Sequence, residues 1–401
     1  MTASLRAWVL RVALPHLVRW ARLVTPRRRL VVVCGVPSTE GNVVELVRAL
    51  QRRYEGRIVW LDPPSAAFRA AQGVEVDGFP RYSRQGVIAY LTAEAVFFTH
   101  GLFGMPRRVP RKATVNVWHG SGMKVMPRSL LAERRVGGPA ADLLVSGARV
   151  WGDYYAGLSD LDPRTEVAVV GNPRVDALVR PVAAERWKAL GIDPQTPLIV
   201  WMPTFRVSTG AHEGAGWSDV AGGEAAGVAE LGALLAEVCA AHGVTFVVKA
   251  HPLDAAARTI AGAVQIGDAD LEAAGLALYE LLGGADALVS DASSVWTDYL
   301  LLDRPIGFIF PDAEEYRAGR GIQPDDALDF LPGPMISGRA EAEEFVAEVL
   351  GDDAARGPGA ALRARSRERF GIEGITAGGS ADGVLDALAA LPFPVAARLS
   401  R

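Results

Sequence analysis

The sequence predicts a parallel α/β protein with two doubly wound domains that face a cleft. Its 401 residues exceed one ordinary hydrophobic core and suit two domains. Short, continuous apolar runs alternate with helical patterns, which is typical of parallel sheets covered by helices on both faces. The alternation stops in a polar, proline-flanked stretch at about 180–197 and then starts again.

The apolar runs that predict strands fall into two sets, one for each domain. The first set comprises residues 30–34, 57–61, 95–98, 114–118, 143–145 and 167–170. The second comprises residues 198–202, 245–249, 263–266, 287–290 and 306–310, with helical patterns at about 227–242, 272–282 and 294–302 and late helices at about 340–350, 358–369 and 381–391. The predicted parts are a basic segment at 1–29, a first domain at 30–180, a second domain at 181–375 and a C-terminal helix at 376–401.

The composition excludes several classes of protein. Half of the residues are hydrophobic and 22% are charged, so the chain is not intrinsically disordered. The 42 basic and 46 acidic residues give a net charge of −4, which predicts no nucleic-acid partner. The two cysteines, Cys34 and Cys239, exclude a disulfide framework or a cysteine zinc site and suit a reducing, cytoplasm-like compartment. Two D-x-D stretches, at 160–162 and 268–270, are predicted to be turns or helix starts rather than metal ligands.

The first 29 residues differ from the rest of the chain in charge. No acidic residue precedes Glu40, whereas arginines recur among leucines, valines and tryptophans. No uncharged apolar run approaches the roughly 20 residues that a membrane-spanning helix needs. One interpretation is an amphipathic helix in a membrane interface, with its arginines on anionic lipid. The alternative is an ordinary amphipathic helix packed on the first domain. In both, Pro15 should kink the helix and Pro26 should end it.

Residues that follow a strand are the first candidates for function, because open parallel sheets bind ligands beyond the carboxyl ends of their strands. In the first domain, His119 follows the strand at 114–118. It is either a general base or a satisfied, buried histidine at a capped strand end. The adjacent Gly120 would allow a ligand close to the backbone. After the strand at 167–170, Arg174 and Asp176 follow an Asn-Pro turn, and we expect them to pair with each other.

Strand ends of the second domain carry groups that suit phosphates. Arg206 follows the strand at 198–202, where a guanidinium grips a phosphate; the alternative is an ordinary surface arginine. Lys249 and His251 lie two residues apart at a strand end and would face the same side, toward a diphosphate. The alternative is a lysine that snorkels beside a structural histidine.

The strand at 287–290 leads into a hydroxyl-rich turn and a helix start, where free N–H groups and the helix dipole favour phosphate. Ser293 and Ser294 would add hydroxyl donors there. Asp291 or Ser293 could also serve as the N-cap of the helix. The stretch at 312–321, which contains Glu315 and Arg320, either contacts a ribose or base or forms a solvated loop.

These motifs occur together in a defined order. They are Trp118-His119-Gly120, Asn172-Pro173-Arg174, Pro203-Thr204-Phe205-Arg206, Lys249-Ala250-His251-Pro252 and Ser290-Asp291-Ala292-Ser293-Ser294, followed by Asp298-Tyr299, Asp303-Arg304-Pro305, Glu315-Tyr316 and Arg320-Gly321. From about residue 114 to 322 the chain thus resembles the CDP-glycerol glycerophosphotransferase family of teichoic-acid primases and polymerases. It departs from the family in two loops. Ser121-Gly122-Met123-Lys124 stands where Thr-Pro-Leu-Lys is common, and Ala292 replaces an aromatic residue.

The resemblance implies a GT-B fold of two Rossmann-like domains, with the acceptor on the first domain and the CDP donor on the second. It implies a transferase that moves glycerol phosphate, or a related polyol phosphate, from CDP-glycerol to a hydroxyl of a lipid-linked acceptor and releases CMP. No metal, cofactor or nucleic acid is expected. The expected location is the cytoplasmic face of the plasma membrane, with peripheral attachment to its anionic surface, and a homo-oligomer is an open alternative to a monomer.

The resemblance also implies roles for individual residues. His119 is expected to act as general base, and His251 to stabilise or protonate the leaving diphosphate oxygen. The donor side is expected to comprise Arg206, Lys249, Asp291, Ser293, Ser294, Glu315 and Arg320, with Asp291 orienting His251 or a hydroxyl; the acceptor side is expected to comprise Gly120, Ser121 and Lys124. Two other functions remain open: a GT-B sugar transferase or epimerase that uses a UDP-sugar, and a non-catalytic relative recruited to membranes.

Overall fold

A computed structural model describes residues 14–103, 108–118, 120, 122–123, 141–157, 161–204, 222–249, 259–319, 321–351 and 357–399. The chain divides into two compact units. Unit 1 comprises the described parts of Met1–Ser121, Leu131–Ala177 and Ile375–Arg401, and unit 2 comprises those of Gly122–Leu130 and Leu178–Gly374.

The helices and strands alternate as predicted for a parallel α/β protein. The strands are β1 (Arg28–Cys34), β2 (Arg57–Leu61), β3 (Asp77–Phe79), β4 (Ala93–Phe98), β5 (Ala113–Asn116), β6 (Leu143–Ser146), β7 (Glu166–Val169), β8 (Leu198–Trp201), β9 (Thr245–Lys249), β10 (Val264–Ile266), β11 (Ala287–Ser290) and β12 (Ile306–Phe308). The helices are α1 (Leu14–Val24), α2 (Gly41–Arg53), α3 (Ala66–Gln72), α4 (Arg84–Thr92), α5 (Arg149–Ala156), α6 (Ala184–Ala189), α7 (Gly222–Ala241), α8 (Asp268–Ala273), α9 (Leu278–Gly284), α10 (Val295–Tyr299), α11 (Ala313–Gly319), α12 (Arg339–Leu350), α13 (Pro358–Phe370) and α14 (Ser380–Ala389). Short 3-10 helices cover Pro173–Val179, Leu300–Leu302, Ala327–Phe330 and Ala396–Arg398.

Unit 1 contains a parallel sheet in the order β3-β2-β1-β4-β5-β6-β7. Its central strands are buried along nearly their whole length, from Leu30 to Cys34 in β1 and throughout β4. This burial explains why both strands appear in the sequence as continuous runs rather than as alternating patterns. The strand order reverses between β1 and β4, which makes their carboxyl ends the switch point of the sheet.

Unit 2 contains a parallel sheet in the order β10-β9-β8-β11-β12. Its core packs the inner faces of β8, β9 and β11 against α7 and α12, around residues such as Trp201, Leu235, Phe246 and Phe345. The strand order reverses between β8 and β11. The carboxyl ends of these two strands are therefore the switch point of unit 2.

Several elements differ from the sequence-based expectation, each for a local reason. The single helix predicted at 272–282 is two helices, α8 and α9, because the chain turns at Gly275 with φ +66°. Strand β3 was not predicted; its sequence, Asp-Gly-Phe, has no apolar run, and it pairs only at the edge of the sheet. Strand β5 ends at Asn116 instead of 118, because Trp118 has a φ of +54°.

Residues after 375 complete unit 1. Helix α14 packs on α2, where Arg53 forms ion pairs with Asp382 (3.4 Å) and Asp386 (2.6 Å). Beyond α14, Leu399 forms an isolated antiparallel β-bridge with Tyr54. The C-terminal helix at 376–401 is thus a structural part of the first unit.

Helix α1 is attached to unit 1 through the end of its last turn. The ammonium of Lys112 donates to the carbonyl oxygens of Arg22, Thr25 (2.9 Å) and Leu91 (2.7 Å). A cation at this end of a helix also complements the helix dipole. The Arg22 guanidinium is buried 4.9 Å from the centre of the Tyr90 ring. The helix ends at Val24, before Pro26, as predicted, and residues 1–13 of the basic segment lie outside the described residues.

The outer face of α1 remains apolar and exposed. Leu17 and Trp20 are each 64% exposed and Val24 is 59% exposed, whereas Val18 packs against the core. Among the residues that the structure describes, no helix has the length and apolar character needed to cross a membrane.

Candidate active site

The turn after β5 carries the first motif, and its geometry is unusual. The Oδ1 atom of Asn116, which is fully buried, accepts the N–H of Trp118 at 2.9 Å. Trp118 then adopts a left-handed backbone that costs an L-residue about 1–2 kcal/mol, so contacts with the surrounding structure must hold it in place. Gly120 has a φ of +143°, a conformation that favours glycine.

A second buried amide reaches the same turn from α2. Asn42 is fully buried in the first turn of that helix. Its Nδ2 atom donates to the carbonyl of Trp118 at 3.2 Å and to Glu40 at 2.9 Å, and its Oδ1 atom accepts the N–H of Arg174 at 3.0 Å. One side chain therefore joins the turn after β5 to the Asn-Pro-Arg segment after β7.

The expected pair between Arg174 and Asp176 is not formed. The carboxylate of Asp176 instead accepts the N–H groups of Gly378 (3.0 Å), Ser380 (2.8 Å) and Ala381 (2.9 Å), at the start of α14. Burial raises the pKa of Asp176, and these three hydrogen bonds oppose that rise. The local Asn-Pro turn was recognised correctly, but the partner of its acid lies some 200 residues away in sequence.

Thr99, which follows β4, links the ends of the two strands at the switch point of unit 1. Its N–H donates to the carbonyl of Cys34 at 3.3 Å, and its hydroxyl accepts the N–H of Val36 at 3.3 Å. The next residue, His100, has its Nδ1 atom 2.9 Å from the same hydroxyl. Burial, together with the positive charge of Arg81, lowers the pKa of His100, so its ring is neutral at neutral pH.

Asp291, which follows β11 and is 1% exposed, links the two strand ends at the switch point of unit 2. Its Oδ2 atom accepts the N–H of Thr204 at 2.7 Å, and its Oδ1 atom accepts the Thr204 hydroxyl and the N–H of Ser293 (3.1 Å). The hydroxyl that Asp291 orients is thus that of Thr204, two residues before Arg206 in the motif after β8. Sequence reasoning placed Asp291 at this edge but assigned no role to Thr204.

The start of α10 combines the two predicted serines with an unexpected glycine. The Ser293 hydroxyl accepts the N–H of Val295 at 3.4 Å, and the carbonyl of Ser294 accepts the Thr297 hydroxyl at 2.7 Å. A Cβ atom on Gly122 would lie 2.6 Å from the Cβ and 2.8 Å from the Cα of Ser294. The presence of Gly122, where the family commonly has the proline of Thr-Pro-Leu-Lys, therefore has a geometric reason in this chain. Only glycine fits beside this helix start.

Lys249 lies at the carboxyl end of β9, as predicted, and is 3% exposed. Its ammonium lies 2.7 Å from a carboxylate oxygen of Asp268. Asp268 begins α8, and Asp270 accepts the N–H of Gly267 at 2.8 Å, so this D-x-D stretch is a helix start. Glu315 lies exposed in the first turn of α11.

The other D-x-D stretch contains a turn. Asp162 accepts the N–H of Arg164 at 3.0 Å and pairs with its guanidinium at 2.9 and 2.6 Å, which lowers the pKa of Asp162 to about 2. Asp160 lies outside the described residues, as do six of the predicted site residues: His119, Ser121, Lys124, Arg206, His251 and Arg320.

Two Rossmann-like units, with polar residues gathered where the parallel strands end, place the protein in the GT-B class of folds. A family model described as CDP-Glycerol:Poly(glycerophosphate) glycerophosphotransferase matches residues 17–370. The chain belongs to this family. The resemblance and the fold class predicted from the sequence are both confirmed.

Solved structures share this fold, and a curated relative is similar over a short stretch of the chain. The fold is similar to that of the wall teichoic acid polymerase TagF, with a TM-score of 0.70 and 19% identity over 96% of this chain and 93% of that chain. A co-structure of S. aureus MnaA with UDP aligns at a TM-score of 0.55 and 10% identity, over 90% of this chain and 96% of that chain. A teichoic acid ribitol-phosphate primase from Bacillus spizizenii is 42% identical over 59 residues, a stretch that covers 14% of this chain and 15% of that relative.

Proposed function

We propose that the protein transfers glycerol phosphate, or a related polyol phosphate, from CDP-glycerol to a hydroxyl of a lipid-linked acceptor and releases CMP, in the synthesis of a teichoic-acid-like polymer. The family match over residues 17–370 carries this proposal. A CDP-activated donor is further supported by the TagF variant soaked with CDPG, whose structure aligns with 96% of each chain at a TM-score of 0.67.

The reaction is a displacement at phosphorus. The acceptor oxygen attacks the β-phosphorus of the donor and forms a new P–O bond, while the bond to the bridging oxygen breaks and CMP leaves. His119 takes the proton of the acceptor hydroxyl, and His251 gives a proton to the departing phosphate oxygen. Such a step depends on in-line positioning and on positive charge around the phosphates.

The donor is assigned to unit 2, at the switch point between β8 and β11. The phosphates are held by Arg206, Lys249 and the serines at the start of α10, and the ribose or base lies toward Glu315 and Arg320. Asp291 acts indirectly. Its carboxylate would repel a phosphate, and its hydrogen bonds to Thr204 instead hold the strand end that leads to Arg206.

The acceptor is assigned to the segment after β5 that contains Gly120, Ser121 and Lys124, and α1 is assigned to the membrane surface that carries the acceptor. The exposed face of α1 bears Leu17, Trp20 and Val24, and the exposed cations nearby include Arg19 and Arg28. An apolar face with a basic border suits the interface of an anionic membrane. One face of α1 packs on the domain, and the opposite, exposed face is the part assigned here to the membrane.

The test is CMP release from CDP-glycerol with a membrane glycolipid fraction as acceptor. Release should require the acceptor and should fall by at least about 100-fold in His119→Ala and His251→Ala, the usual contribution of a general acid or base. CDP-ribitol distinguishes the polyol, and UDP-N-acetylglucosamine tests the sugar-transferase or epimerase alternative. Turnover of the UDP-sugar without CMP release would overturn the proposal, and nucleotide binding without turnover would favour a non-catalytic relative.

A further inference from the structure

We propose that Asn42 is a positioning residue for His119. Its buried amide holds the peptide group between Trp118 and His119, and this inference rests on the function proposed above. Asn42 reaches that peptide from helix α2, 76 residues earlier in the chain. The Trp-His-Gly motif alone therefore gives no indication that Asn42 is involved.

Each of the two peptide groups that flank Trp118 forms a hydrogen bond with a buried side-chain amide. On its N-terminal side, the N–H of Trp118 donates to Oδ1 of Asn116 at 2.9 Å. On its C-terminal side, the carbonyl of Trp118 accepts Nδ2 of Asn42 at 3.2 Å. Because this carbonyl and the nitrogen of His119 belong to one planar peptide, a hydrogen bond to the carbonyl constrains the direction in which the chain enters His119.

The amide of Asn42 is itself held rigidly. Both donors of Nδ2 are used, one by the Trp118 carbonyl and one by Glu40, and Oδ1 accepts the N–H of Arg174. Glu40 is fixed in turn, because its other carboxylate oxygen accepts the N–H of Val43 as the N-cap of α2. With both of its donors and its acceptor oxygen engaged and no exposure to solvent, the Asn42 amide has one favoured orientation.

The strain in the turn explains why such support is needed. Trp118 has a φ of +54°, which is unfavourable for a bulky residue and persists only where the surroundings determine it. Removal of the Asn42 amide should allow Trp118 to relax toward negative φ and should reorient the peptide that precedes His119. A displacement of about 1 Å at a catalytic group can lower turnover by about 100-fold.

The experiment compares Asn42→Ala and Asn42→Ser with Gln72→Ala. Gln72 is a matched control because it is also a buried amide of unit 1, with Arg48 as its partner at 3.2 Å. We expect Asn42→Ala to lower kcat for CMP release about 30- to 100-fold with KM for CDP-glycerol within threefold, and Asn42→Ser, whose hydroxyl can still donate, to lie in between. Gln72→Ala should keep kcat within twofold. Equal kcat values in Asn42→Ala and Gln72→Ala would overturn the inference.

A readout that needs no turnover separates this inference from the proposed function. The protein is labelled with 5-fluorotryptophan, and the Trp118 resonance is assigned with Trp118→Phe. In Asn42→Ala this resonance should shift or broaden, with the other assigned tryptophans unchanged, and in Gln72→Ala it should stay in place. If the wild type releases no CMP, the proposed function fails, and this resonance alone decides whether Asn42 holds the turn. An unmoved Trp118 signal in both Asn42 variants would reject the positioning role.

Discussion

Asp291 accepts two hydrogen bonds from Thr204, one from its backbone N–H and one from its hydroxyl, across the switch point of unit 2. The two residues follow β11 and β8, the neighbouring strands at which the sheet reverses its order. An acid that the motif suggested as a ligand contact thus ties together the two strand ends between which a ligand would bind.

Loss of this link should weaken nucleotide binding and stability together. Asp291→Ala leaves the partly buried N–H groups of Thr204 and Ser293 without this acceptor, at a cost of at most about 1–3 kcal/mol each. We expect a fall of at least about 2 kcal/mol in the free energy of unfolding and at least tenfold weaker binding of CMP in calorimetric titrations. Thr204→Val is the milder control, because it removes the hydroxyl and keeps the backbone hydrogen bond. Unchanged CMP affinity in Asp291→Ala would contradict the assignment of the donor to this edge.

Gly122 should tolerate no side chain. Alanine at this position would place a Cβ atom 2.8 Å from the Cα of Ser294, so the start of α10 must shift. We expect Gly122→Ala to raise KM for the donor and to lower the melting temperature by several degrees. Gly227→Ala serves as control, because nothing lies within 4 Å of its Cβ and alanine favours a helix interior by about 1 kcal/mol. Wild-type kinetics in Gly122→Ala would show that the contact with Ser294 has no role in donor binding.

The buried carboxylate of Glu94 should be among the strongest stabilising groups of unit 1. It is fully buried, accepts the hydroxyl of Tyr54 at 2.6 Å and pairs with Arg398 at 2.7 Å. Burial and this hydrogen bond raise the pKa of Tyr54. Glu94→Gln removes the charge that Arg398 faces, and we expect a loss of about 3 kcal/mol in urea unfolding. Arg52→Ala, which breaks an exposed pair, should cost less than about 1 kcal/mol; similar losses in the two variants would contradict this ranking.

His100 should make the protein less stable in mild acid. Its pKa is lowered in the folded state by burial and by the charge of Arg81, so the unfolded chain binds more protons just below the ordinary histidine pKa of 6.5. The free energy of unfolding should therefore fall as the pH drops through about 6.5 and below. The difference in stability between wild type and His100→Gln, measured from pH 8 to 5, isolates this contribution. A difference that stays constant over that range would show that His100 does not titrate differently on unfolding.

The outer face of α1 should determine binding to anionic vesicles. Trp20→Ser combined with Val24→Ser removes two exposed apolar side chains and should weaken partitioning by at least about tenfold, since burial of each is worth about 1.5–3 kcal/mol. Tyr82→Ser is the control, because this side chain is 76% exposed and lies elsewhere on unit 1. Added salt should weaken binding of the wild type. Equal binding by both variants would assign membrane attachment to another surface.

Sequence reasoning predicted most of the fold because parallel strands that are buried on both faces leave continuous apolar runs. The strands β2, β9 and β11 begin and end where those runs do. It missed β3, whose three residues carry no such run, and it could not see that Asp176 caps α14, because that contact joins distant parts of the chain.

The candidate site shows the same division between local and distant information. The positions of Lys249, Asp291 and the two serines at strand ends follow from the order of strands and motifs. Their partners do not. Asp268 beside Lys249 and Thr204 beside Asp291 depend on which strands become neighbours in the sheet. Asn42 gave one usable signal, because it lies in the first turn of the helix that follows β1, near a strand end, where the rule of inspecting strand ends applies.

The packing of residues after 375 onto unit 1 has a consequence for biosynthesis. The ribosome produces Asp176 long before the helix that it caps, and Glu94 long before Arg398. Unit 2, which is nearly contiguous from Leu178 to Gly374, has all of its strands available earlier than unit 1 has its last helix. Unit 2 should therefore complete its fold first, and unit 1 should stay incomplete, and exposed to chaperones, until the residues after 375 have been synthesised.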